Sequence, residues 1–564
     1  MASIIKKMKR GKAYYYLVES SRVGGKPRIV RQVYLGKAAD LLARLDAAAP
    51  QSPTRVKVRE FGASMAAHAM ATELGLCGIV DEIAPKRAQG VSIGTHFTLA
   101  AVNRVAAPCS KSQMGAWYDR SALSSHFKLK AADLAPQRFW DAMDRLGESE
   151  LSAIESRLAR VAIERFGLDT SALVLDATNF FTFIDSATPG DLAKRGHSKQ
   201  KRHDLRQVGL VLLVSTDSCV PLASLCYPGN TTDSRSFAAL SETLIERHRT
   251  FAAGVLDITL VFDKGNNSAA NFASLDASPY HFVGSLVPTH HPELLALDAS
   301  SFSPVEGYPG VFSHRVTKEV FGVSRTLVVI FSEELYAKQR RGLDQTLAKA
   351  ARQLGDLSAL LTRGRHRRTM HDVEAMIAEI CQPRWVRSVM HTELNDGPGG
   401  LALDFHVDEE AREEVEGVHF GKRILFTDRV DLSDAQIVAA YRSQSVVENA
   451  FRQMKDPAFI SFSPMFHWTD DKIRVHVFYC VVALMIANLM WRRVRAAGID
   501  ISPKAMLAEL SQIKLVDLIY APAGGIGRPR VRSEISELSD VQRRLVDALG
   551  LAEYMPGGGN TPKT

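Results

Sequence analysis

Two aspartates of this sequence lie where a carboxylate needs a partner. Asp176 lies inside an apolar run that begins at Leu173, where an unpaired carboxylate would cost several kcal/mol without a cation, hydrogen bonds or a cavity. Asp263 ends a second apolar run that begins at Ile258, and ligand sites of α/β sheets gather at the carboxyl ends of strands. Together the two carboxylates could hold hard divalent cations. Each could equally be a strand-end or capping carboxylate.

A third carboxylate, Glu448, lies on the polar stripe of a predicted helix. At about 100° per residue, five polar side chains project within roughly 80° of one another. They are Tyr441, Gln444, Glu448, Arg452 and Lys455. An adjacent apolar stripe puts Glu448 at the border of buried and open surface, where a helix packed on a sheet can point a carboxylate at strand ends. A solvated face with an i,i+4 pair between Glu448 and Arg452 is the alternative.

The ends of this helix are marked in the sequence. Ser433 and Gln436 form a capping box at its start, and Asp456 and Pro457 end the pattern. The sequence therefore predicts a single helix over 434–455. A second helix, over 477–491, is apolar enough to be buried and falls short of the roughly 20 residues that a membrane span needs. We expect no membrane segment.

Short apolar runs from Ser171 onward predict the sheet that would position the two aspartates. The predicted strands cover 173–184, 208–214, 221–226, 258–263 and 281–286, with a helix over 234–247. This order indicates an α/β core with a five-stranded sheet. From 287 to about 430 the pattern changes to mixed strands and helices, and the core resumes at the helix over 434–455. The sequence thus predicts a core that is split by an insertion.

The spacing of the polar stripe matches that of a known family. Tyr441-x2-Gln444-x3-Glu448-x6-Lys455 resembles the Tyr-x2-Arg-x3-Glu-x6-Lys signature of bacterial insertion-sequence transposases with a DDE catalytic triad, at three of its four positions. Five further blocks share the resemblance, at 173–178, 196–199, 228–233, 261–265 and 471–478. Together they cover most of residues 10–500, and as a set they are specific.

This resemblance implies a cut-and-paste transposase with an RNase H-like core and the triad Asp176, Asp263 and Glu448. In such enzymes the three carboxylates hold two divalent cations, normally Mg²⁺, for which Mn²⁺ can substitute. One ion activates water or a terminal 3′-OH, and the other stabilises the leaving oxygen of an in-line displacement at phosphorus. The resemblance also implies that Tyr441 and Lys455 contact the DNA end near the scissile phosphate.

Gln444 departs from the signature, which has Arg at this position. Glutamine can hydrogen-bond a phosphate or a base but carries no charge, so the contact is weaker or is made by another residue. Arg452 lies on the same stripe and is the candidate to replace it.

Two loops between the acids carry further candidate residues. The basic loop over 194–203 contains Lys199, Lys201 and Arg202 and is suited to following a phosphate backbone; a solvated basic loop is the alternative. Asn230 and Asp233 match a family block and are candidate active-site loop residues, although both are also common turn formers.

Composition narrows the class of protein. With 564 residues, 46% of them hydrophobic and 23% charged, the chain is globular and long enough for several packed units. Its six cysteines form no C-x-x-C pair, and the N-terminus has no secretory apolar run, so we expect a cytoplasmic protein. The resemblance further implies a bacterial, nucleoid-associated one. The absence of a G-x4-G-K-[ST] motif gives no reason to expect a nucleotide cofactor.

The net charge of +8 is concentrated at one end of the chain. Residues 1–60 contain 14 Lys or Arg against 4 Asp or Glu, whereas the other residues contain 56 against 58. Any affinity of the core for DNA must therefore come from local features and bound cations.

The predicted organisation is a multidomain α/β protein. It comprises a basic β-hairpin unit over 1–50 with its turn at Gly24 and Gly25, a helical and DNA-binding unit over 51–165, and the first part of the RNase H-like core over 166–286. The insertion over 287–430, the second part of the core over 431–500 and a helical C-terminal region with a disordered tail over 501–564 complete it.

The predicted function is that of a DNA transposase that binds terminal inverted repeats, cleaves strands and joins 3′-OH ends to target DNA. Its family likeness implies a homodimer in the synaptic complex. Another two-metal nuclease on this fold, such as a resolvase or ribonuclease, is one alternative. A catalytically silent DNA-binding protein derived from a transposase is the other.

Overall fold

The computed structural model describes residues 2–23, 26–42, 52–85, 90–185, 187–196, 202–231, 243, 258–263, 267–363, 368–397, 400–457, 459–463, 465–522 and 527–557. The chain divides into two compact units. The first takes in Met1–Arg59, Lys514–Ser536 and Met555–Gly557. The second takes in Glu60–Ile513 and Glu537–Tyr554 and contains all three predicted catalytic carboxylates.

The strands of the described residues fall into four sheets. In chain order they are β1 (Ala2–Lys9), β2 (Lys12–Val23), β3 (Lys26–Gly36), β4 (Arg55–Glu60), β5 (Ala172–Thr182), β6 (Arg206–Ser215), β7 (Pro221–Pro228), β8 (Thr259–Val261), β9 (His281–Leu286), β10 (Ser303–Pro304), β11 (Val311–Val320), β12 (Val323–Ser332), β13 (Met390–Gly397), β14 (Gly400–Val407), β15 (Lys422–Thr427), β16 (Lys514–Tyr520) and β17 (Arg530–Ile535).

Helices surround the largest sheet. The α-helices are α1 (Gly62–Glu73), α2 (Leu76–Ile83), α3 (Ile93–Ala106), α4 (Met114–Arg120), α5 (Leu123–Phe127), α6 (Pro136–Met143), α7 (Glu148–Phe166), α8 (Ala269–Asp276), α9 (Pro292–Leu295), α10 (Glu333–Thr362), α11 (Met370–Ile380), α12 (Val386–Val389), α13 (Glu409–His419), α14 (Asp434–Arg442), α15 (Gln444–Lys455), α16 (Asp470–Ala496), α17 (Pro503–Gln512) and α18 (Asp540–Ala548). Short 3-10 turns cover Lys111–Gln113, Ala131–Leu134, Pro288–His290, Ala299–Ser301 and Leu551–Tyr554.

The largest sheet is mixed and has the strand order β10-β11-β12-β15-β9-β8-β5-β6-β7 in the described residues. β5 pairs with β8 and β8 with β9 in parallel, whereas β5 with β6 and β6 with β7 are antiparallel. Nearly every residue of β6 is buried, as expected for a central strand covered on both faces. This large mixed sheet is consistent with an RNase H-like transposase core.

The sheet is larger than the five strands expected, because the predicted insertion contributes to it. β11, β12 and β15 lie within 287–430, and β15 joins the core by pairing antiparallel with β9. The segment 287–430 thus supplies strands to the large sheet as well as residues outside it. The part outside the sheet runs from α10 to Phe420 and has its own apolar core, which includes Leu347, Leu354 and Leu403.

The helices that precede residue 165 pack against a long helix of the later part of the chain. β4 precedes the helices of this region, and α1 and α3 pack directly against α16. The side chains of α16 are buried on all sides over most of its length, so the helix needs cover from the helices on one side and from β7 on another. By length and composition α16 could cross a membrane, as could α1 with α2 if that bent pair were one span, but 94% of the apolar window of α16 is buried inside the protein.

The first unit contains two three-stranded sheets. β1, β2 and β3 pair antiparallel, so a third strand joins the two that the sequence indicates; the predicted turn at Gly24 and Gly25 lies outside the described residues. β17, β16 and β4 form the other sheet, which is held by a buried ion pair between Arg59 and Asp517. The C-terminal region is therefore not purely helical.

Two further predictions concern segments that lie largely outside the described residues. The helix over 234–247 falls outside them except for residue 243. The end of the C-terminal tail, 558–564, also falls outside them.

We predict that Leu354→Ala lowers the free energy of unfolding by about 2–5 kcal/mol, because Leu354 is fully buried in the apolar core of the segment from α10 to Phe420 and its truncation leaves a cavity. Urea unfolding followed by circular dichroism measures the change. Leu360→Ala is the matched control on the same helix, α10, because the Leu360 side chain is 49% exposed, and it should change stability by less than about 0.5 kcal/mol. Equal losses in both variants would contradict the assignment of this core.

Candidate active site

Asp176 lies on β5, and Asp263 follows the end of β8, the strand that pairs in parallel with β5. The register pairs Ala172 with Thr259 and Val174 with Val261. Each aspartate lies two residues beyond the last of these pairs. Asp176 is half-buried and Asp263 is exposed. The parallel pairing thus brings the two predicted acids to one edge of the sheet, where ligand sites of α/β folds lie.

Each aspartate is oriented by a neighbouring donor. The backbone N–H of Ala177 donates to Asp176 Oδ1 at 2.8 Å. The hydroxyl of Ser285, on β9, donates to Asp263 Oδ1 at 3.4 Å. A carboxylate accepts about four hydrogen bonds or metal bonds, so one such contact does not saturate its oxygens.

Tyr441 contacts the serine, Ser285, that bonds Asp263. Its hydroxyl donates to Ser285 Oγ at 3.2 Å and accepts from Arg423 Nη1 at 3.3 Å. Tyr441 is buried, so in this structure its hydroxyl supports the Ser285–Asp263 contact instead of facing open surface. The resemblance implied a contact between Tyr441 and DNA, and the geometry gives Tyr441 a positioning role in addition.

The predicted single helix over 434–455 is two helices, α14 and α15, separated at Ser443. The capping box of Ser433 and Gln436 is confirmed, and α15 ends at Lys455 as expected. Ser443 Oγ donates to the carbonyl of Ala440 at 2.6 Å, and Ser445 Oγ donates to that of Arg442 at 2.9 Å. Such side-chain bonds compete with the helical ladder and bend helices, which explains the interruption.

The rest of the polar stripe lies on α15, which packs against β5. Lys455 Nζ donates to Thr178 Oγ1 at 2.6 Å and lies 5.4 Å from the centre of the Phe180 ring. Because Thr178 and Asp176 are two residues apart on β5, their side chains share one face of the strand. Lys455 is therefore placed on the same face of β5 as Asp176.

Glu448, Arg452 and Gln444 occupy the remaining stripe positions on α15. Glu448 and Arg452 are exposed, and Gln444 is half-buried. Gln444 Nε2 is buried without a hydrogen-bond partner in the described part of the chain, so an unpaired donor lies where the family signature has Arg.

Within the described residues no three His, Cys, Asp or Glu side chains lie close enough to share a metal ion. In this structure Glu448 therefore does not complete a three-carboxylate metal group.

The side-chain amide of Asn267, which was not among the predicted site residues, also contacts Ser285. Asn267 Nδ2 donates to the carbonyl of Ser285 at 2.8 Å, and its Oδ1 is buried with no partner among the described residues. Asn267 thus bonds the residue whose hydroxyl contacts Asp263, and amide and carboxylate oxygens are the hard donors that Mg²⁺ prefers. The signal in the sequence was an Asn four residues after the strand-end Asp263.

The loop residues are only partly described. Lys199, Lys201 and Asp233 lie outside the described residues. Arg202 is exposed and pairs with Asp204 through two hydrogen bonds of 2.8 and 2.7 Å, and the hydrogen bond from Arg202 lowers the pKa of Asp204 to about 2. Its guanidinium is thus partly engaged within its own loop.

Asn230 is exposed on the turn after β7. The preceding Gly229 donates its N–H to the carbonyl of Leu192 at 3.0 Å. A Cβ on Gly196 would lie 2.3 Å from the carbonyl oxygen of Gly229, so only glycine fits this approach of the two loops. The blocks that begin at Gly196 and Pro228 therefore meet, although they are about thirty residues apart in sequence.

Buried groups fix the end of α15. Phe462 stacks on Phe180 with ring centres 4.2 Å apart, and its N–H donates to the carbonyl of Met454 at 2.8 Å. Burial lowers the pKa of His476 well below its usual range. The neutral ring then donates from Nε2 to the carbonyl of Phe462 at 2.8 Å and accepts at Nδ1 from the Tyr479 hydroxyl at 2.6 Å.

The beginning of α15 is fixed as well. The buried thiol of Cys219 donates to the carbonyl of Val446 at 3.1 Å, and burial raises the pKa of this thiol to about 12. The thiol is therefore protonated and able to donate at neutral pH. With both ends held, α15 is presented to β5 as a rigid element.

Residues 167–485 match the family described as Transposase DDE domain. The match spans more than half of the chain, and the protein belongs to this family of DDE transposases. Membership implies a polynucleotidyl transferase or nuclease, and the family generally uses divalent metal ions.

Among solved structures, the chain is similar to piggyBac transposase in a synaptic complex with hairpin DNA, at 10% identity and a TM-score of 0.36 over 82% of each chain. It is also similar to Mos1 transposase in a paired-end complex with the left transposon end, at 10% identity and a TM-score of 0.16. That second similarity covers 37% of this chain and 63% of the Mos1 chain, less than two thirds of its length. None of the curated proteins matches the sequence.

We predict that Tyr441→Phe and Ser285→Ala are energetically coupled, because each removes one partner of the 3.2 Å hydrogen bond between their hydroxyls. A double-mutant cycle of urea unfolding should give a coupling free energy of about 0.5–1.5 kcal/mol. Thr346→Ala is the control, because the Thr346 hydroxyl bonds within α10 to the carbonyl of Gly342, and its effect should add to that of Tyr441→Phe. Additivity of Tyr441→Phe with Ser285→Ala would contradict the contact.

Proposed function

We propose that the protein is the transposase of a bacterial insertion sequence. It binds the terminal inverted repeats of its element, cleaves DNA strands and joins the 3′-OH ends to target DNA. The observation that carries the proposal is the parallel pairing of β5 with β8, the strands whose carboxyl ends lead to Asp176 and Asp263, inside the segment that matches the transposase DDE domain. The Tyr-x2-Gln-x3-Glu-x6-Lys spacing supports the same assignment.

The proposed catalytic residues are Asp176, Asp263 and Glu448, which would hold two Mg²⁺ ions, with Mn²⁺ as a substitute. When bound, such ions activate the attacking water or 3′-OH and stabilise the leaving oxygen of an in-line displacement at phosphorus. The two aspartates would repel each other in the absence of a cation, and Asn267 would add a neutral oxygen donor. Ser285 and Tyr441 hold Asp263 in place.

The DNA-contacting role falls to the polar stripe and the loops. Lys455 lies on the face of β5 that carries Asp176 and is suited to hold a phosphate next to the scissile one. Arg452 is exposed on the same helix and supplies the charge that Gln444 lacks; Gln444 still offers its unpaired Nε2 as a donor. The basic loop residues Lys199, Lys201 and Arg202 would follow the backbone further out, and Asn230 and Asp233 would line the active-site loop.

End recognition is assigned to the helices over 51–165 and to the basic N-terminal sheet, because the excess positive charge of the chain lies in its first 60 residues. Two ends must be cut together, so the working form is a homodimer in the synaptic complex. The protein would act in the bacterial cytoplasm on nucleoid DNA.

We predict that Asp176→Ala, Asp263→Ala and Glu448→Ala each abolish Mg²⁺-dependent cleavage of the element's end while leaving end binding largely intact. Loss of one metal ligand removes the activation of the nucleophile or of the leaving oxygen, which is worth several orders of magnitude in rate. Gel assays of labelled end DNA measure cleavage and binding with the same protein samples.

Glu164→Ala is the matched control for this prediction, because Glu164 is an exposed carboxylate on α7, and it should cleave normally. Normal cleavage by any one of the three variants would contradict the triad at that position. Cleavage without strand joining by the wild-type protein would favour another two-metal nuclease, and end binding without cleavage would favour a silent transposase derivative.

We predict that Lys455→Met weakens binding of duplex DNA and lowers the slope of log K against log salt by about 1, because one phosphate contact is lost. Fluorescence anisotropy between about 50 and 200 mM salt measures the slope. Lys349→Met on α10 is the control, since Lys349 is exposed and far along the chain from the stripe. An unchanged slope in Lys455→Met would remove this lysine from the DNA interface.

A further inference from the structure

Arg104 is a buried cation on α3, outside the segment 167–485 that matches the transposase DDE domain. Its side chain is 2% exposed. Among the described residues its guanidinium donates to a backbone carbonyl and to a tyrosine hydroxyl but to no carboxylate, and its Nε has no partner there. Burying a charge without a countercharge is costly, so the contacts that Arg104 makes require an explanation.

Arg104 joins α3 to the segment that follows α15. Its Nη1 donates to the carbonyl of Ser461 at 2.7 Å, across 357 residues of sequence. Its Nη2 donates to the hydroxyl of Tyr479, on α16, at 3.5 Å, and the guanidinium carbon lies 5.6 Å from the centre of the Tyr479 ring. A hydrogen bond from a charged donor is stronger than one between neutral groups, so the Ser461 carbonyl is held firmly.

The segment that Arg104 holds is strained. Ile460, directly before Ser461, has a φ of +48°, in the left-handed region that β-branched residues rarely adopt. Its side chain is fully buried, and such a conformation persists only where the surrounding structure enforces it. Arg104 holds the carbonyl of Ser461. His476 holds the next one, that of Phe462, at 2.8 Å. Two buried donors thus fix the chain immediately after the strained residue.

This segment determines where the end of α15 lies. The N–H of Phe462 donates to the carbonyl of Met454 at 2.8 Å. Met454 is followed by Lys455, whose Nζ donates to Thr178 Oγ1 on β5 at 2.6 Å. A displacement of the segment would therefore shift the last turn of α15 and move the Lys455 ammonium away from β5.

The ionisable groups around Arg104 are neutral in weakly basic solution. Lys111 Nζ lies 4.3 Å from the centre of the Tyr479 ring, and burial, together with the charge of Arg104, lowers the pKa of Lys111 to about 7. Burial lowers the pKa of His467 to about 3 and that of His476 well below its usual range. At pH 8 the positive charge of this group of side chains therefore lies on Arg104.

We propose that Arg104 is a positioning residue for catalysis. By holding the Ser461 carbonyl, it keeps Lys455 on the face of β5 that carries the predicted acid Asp176. The inference rests on the proposed function, because it takes the phosphate held by Lys455 to belong to the DNA substrate. A misplacement of about 1 Å can cost about 100-fold in rate, so a residue that contacts neither DNA nor metal can still limit the reaction. Cleavage then depends on α3, one of the helices to which end recognition is assigned.

The test measures single-turnover cleavage of a labelled duplex that carries the border of the element, with Mg²⁺ at pH 8. We expect Arg104→Met to lower the maximal rate by about 10- to 100-fold. The DNA concentration at half-maximal rate should change by less than about 3-fold, because the other contacts along the duplex remain. Arg104→Lys should restore the rate to within about 3-fold of the wild type, since its amine can donate to the same carbonyl.

A double-mutant comparison separates positioning from a general loss of structure. In the Lys455→Met background, Arg104→Met should lower the rate by less than about 2-fold, because the side chain that Arg104 positions is already absent. Asn103→Ala is the matched control on α3. Asn103 is also fully buried, but its side-chain hydrogen bonds in the described structure stay within residues 103–109. This variant should cleave within about 2-fold of the wild type.

Tyr479→Phe keeps the test decisive if Arg104→Met does not fold, which circular dichroism shows. It removes only the hydroxyl that contacts Arg104 and His476. It should lower the rate by about 3- to 10-fold, the equivalent of one hydrogen bond, and should have no such effect in the Lys455→Met background.

Cleavage at the wild-type rate by Arg104→Met, or by Tyr479→Phe where Arg104→Met is unfolded, would overturn the proposal. So would a loss in Arg104→Met that is equally large in the Lys455→Met background or that Arg104→Lys does not restore, since either result indicates a merely structural role. If the wild type neither binds nor cleaves the duplex, the proposed function itself fails. If the wild type cleaves it and Arg104→Met behaves like Asn103→Ala, only the positioning role fails.

Discussion

The parallel pairing of β5 with β8 is the constraint on which the rest of the site depends. The register matches Val174 with Val261, two residues before Asp176 and Asp263, and a shift of one residue would turn the residues of one strand to the other face of the sheet. The register is fixed because both strands are apolar and buried where they pair. The fold therefore brings two carboxylates to one edge of the sheet, and divalent cations are the natural partners of such groups.

Contacts among the helices determine where α15 lies. α16 is covered by α1 and α3 on one side and by β7 on another, and its His476 holds the carbonyl of Phe462 at 2.8 Å. Phe462 in turn stacks on Phe180 of β5. Through these contacts the buried core determines where α15 lies, and with it Glu448 and Lys455.

Local sequence signals predicted much of this fold. Apolar runs located the strands that carry the acids, because a strand buried on both faces must be continuously apolar. The capping box of Ser433 and Gln436 located the start of α14, since its hydrogen bonds join residues three apart. The spacing of the family signature indicated which residues of the helix and strands are candidate site residues.

Long-range pairings could not be predicted in this way. The joining of β15 to β9 and of β16 to β4 depends on partners far apart in sequence, and a single sequence carries no signal for them. The break at Ser443 was missed because serine hydroxyl bonds act against a helix whose polar stripe is otherwise regular. The unpaired Oδ1 of Asn267 became visible only when the neighbouring Ser285 was located.

The central claim is that Asp176, Asp263 and Glu448 hold divalent cations together when the protein is loaded. Iron-mediated backbone cleavage tests it most directly: Fe²⁺ replaces Mg²⁺ in the full chain bound to DNA, ascorbate and peroxide are added, and the fragments are identified by mass spectrometry. The account predicts backbone cuts near residues 176, 263 and 448 that excess Mg²⁺ suppresses. Cuts that avoid these three places, or that Mg²⁺ does not suppress, would contradict it.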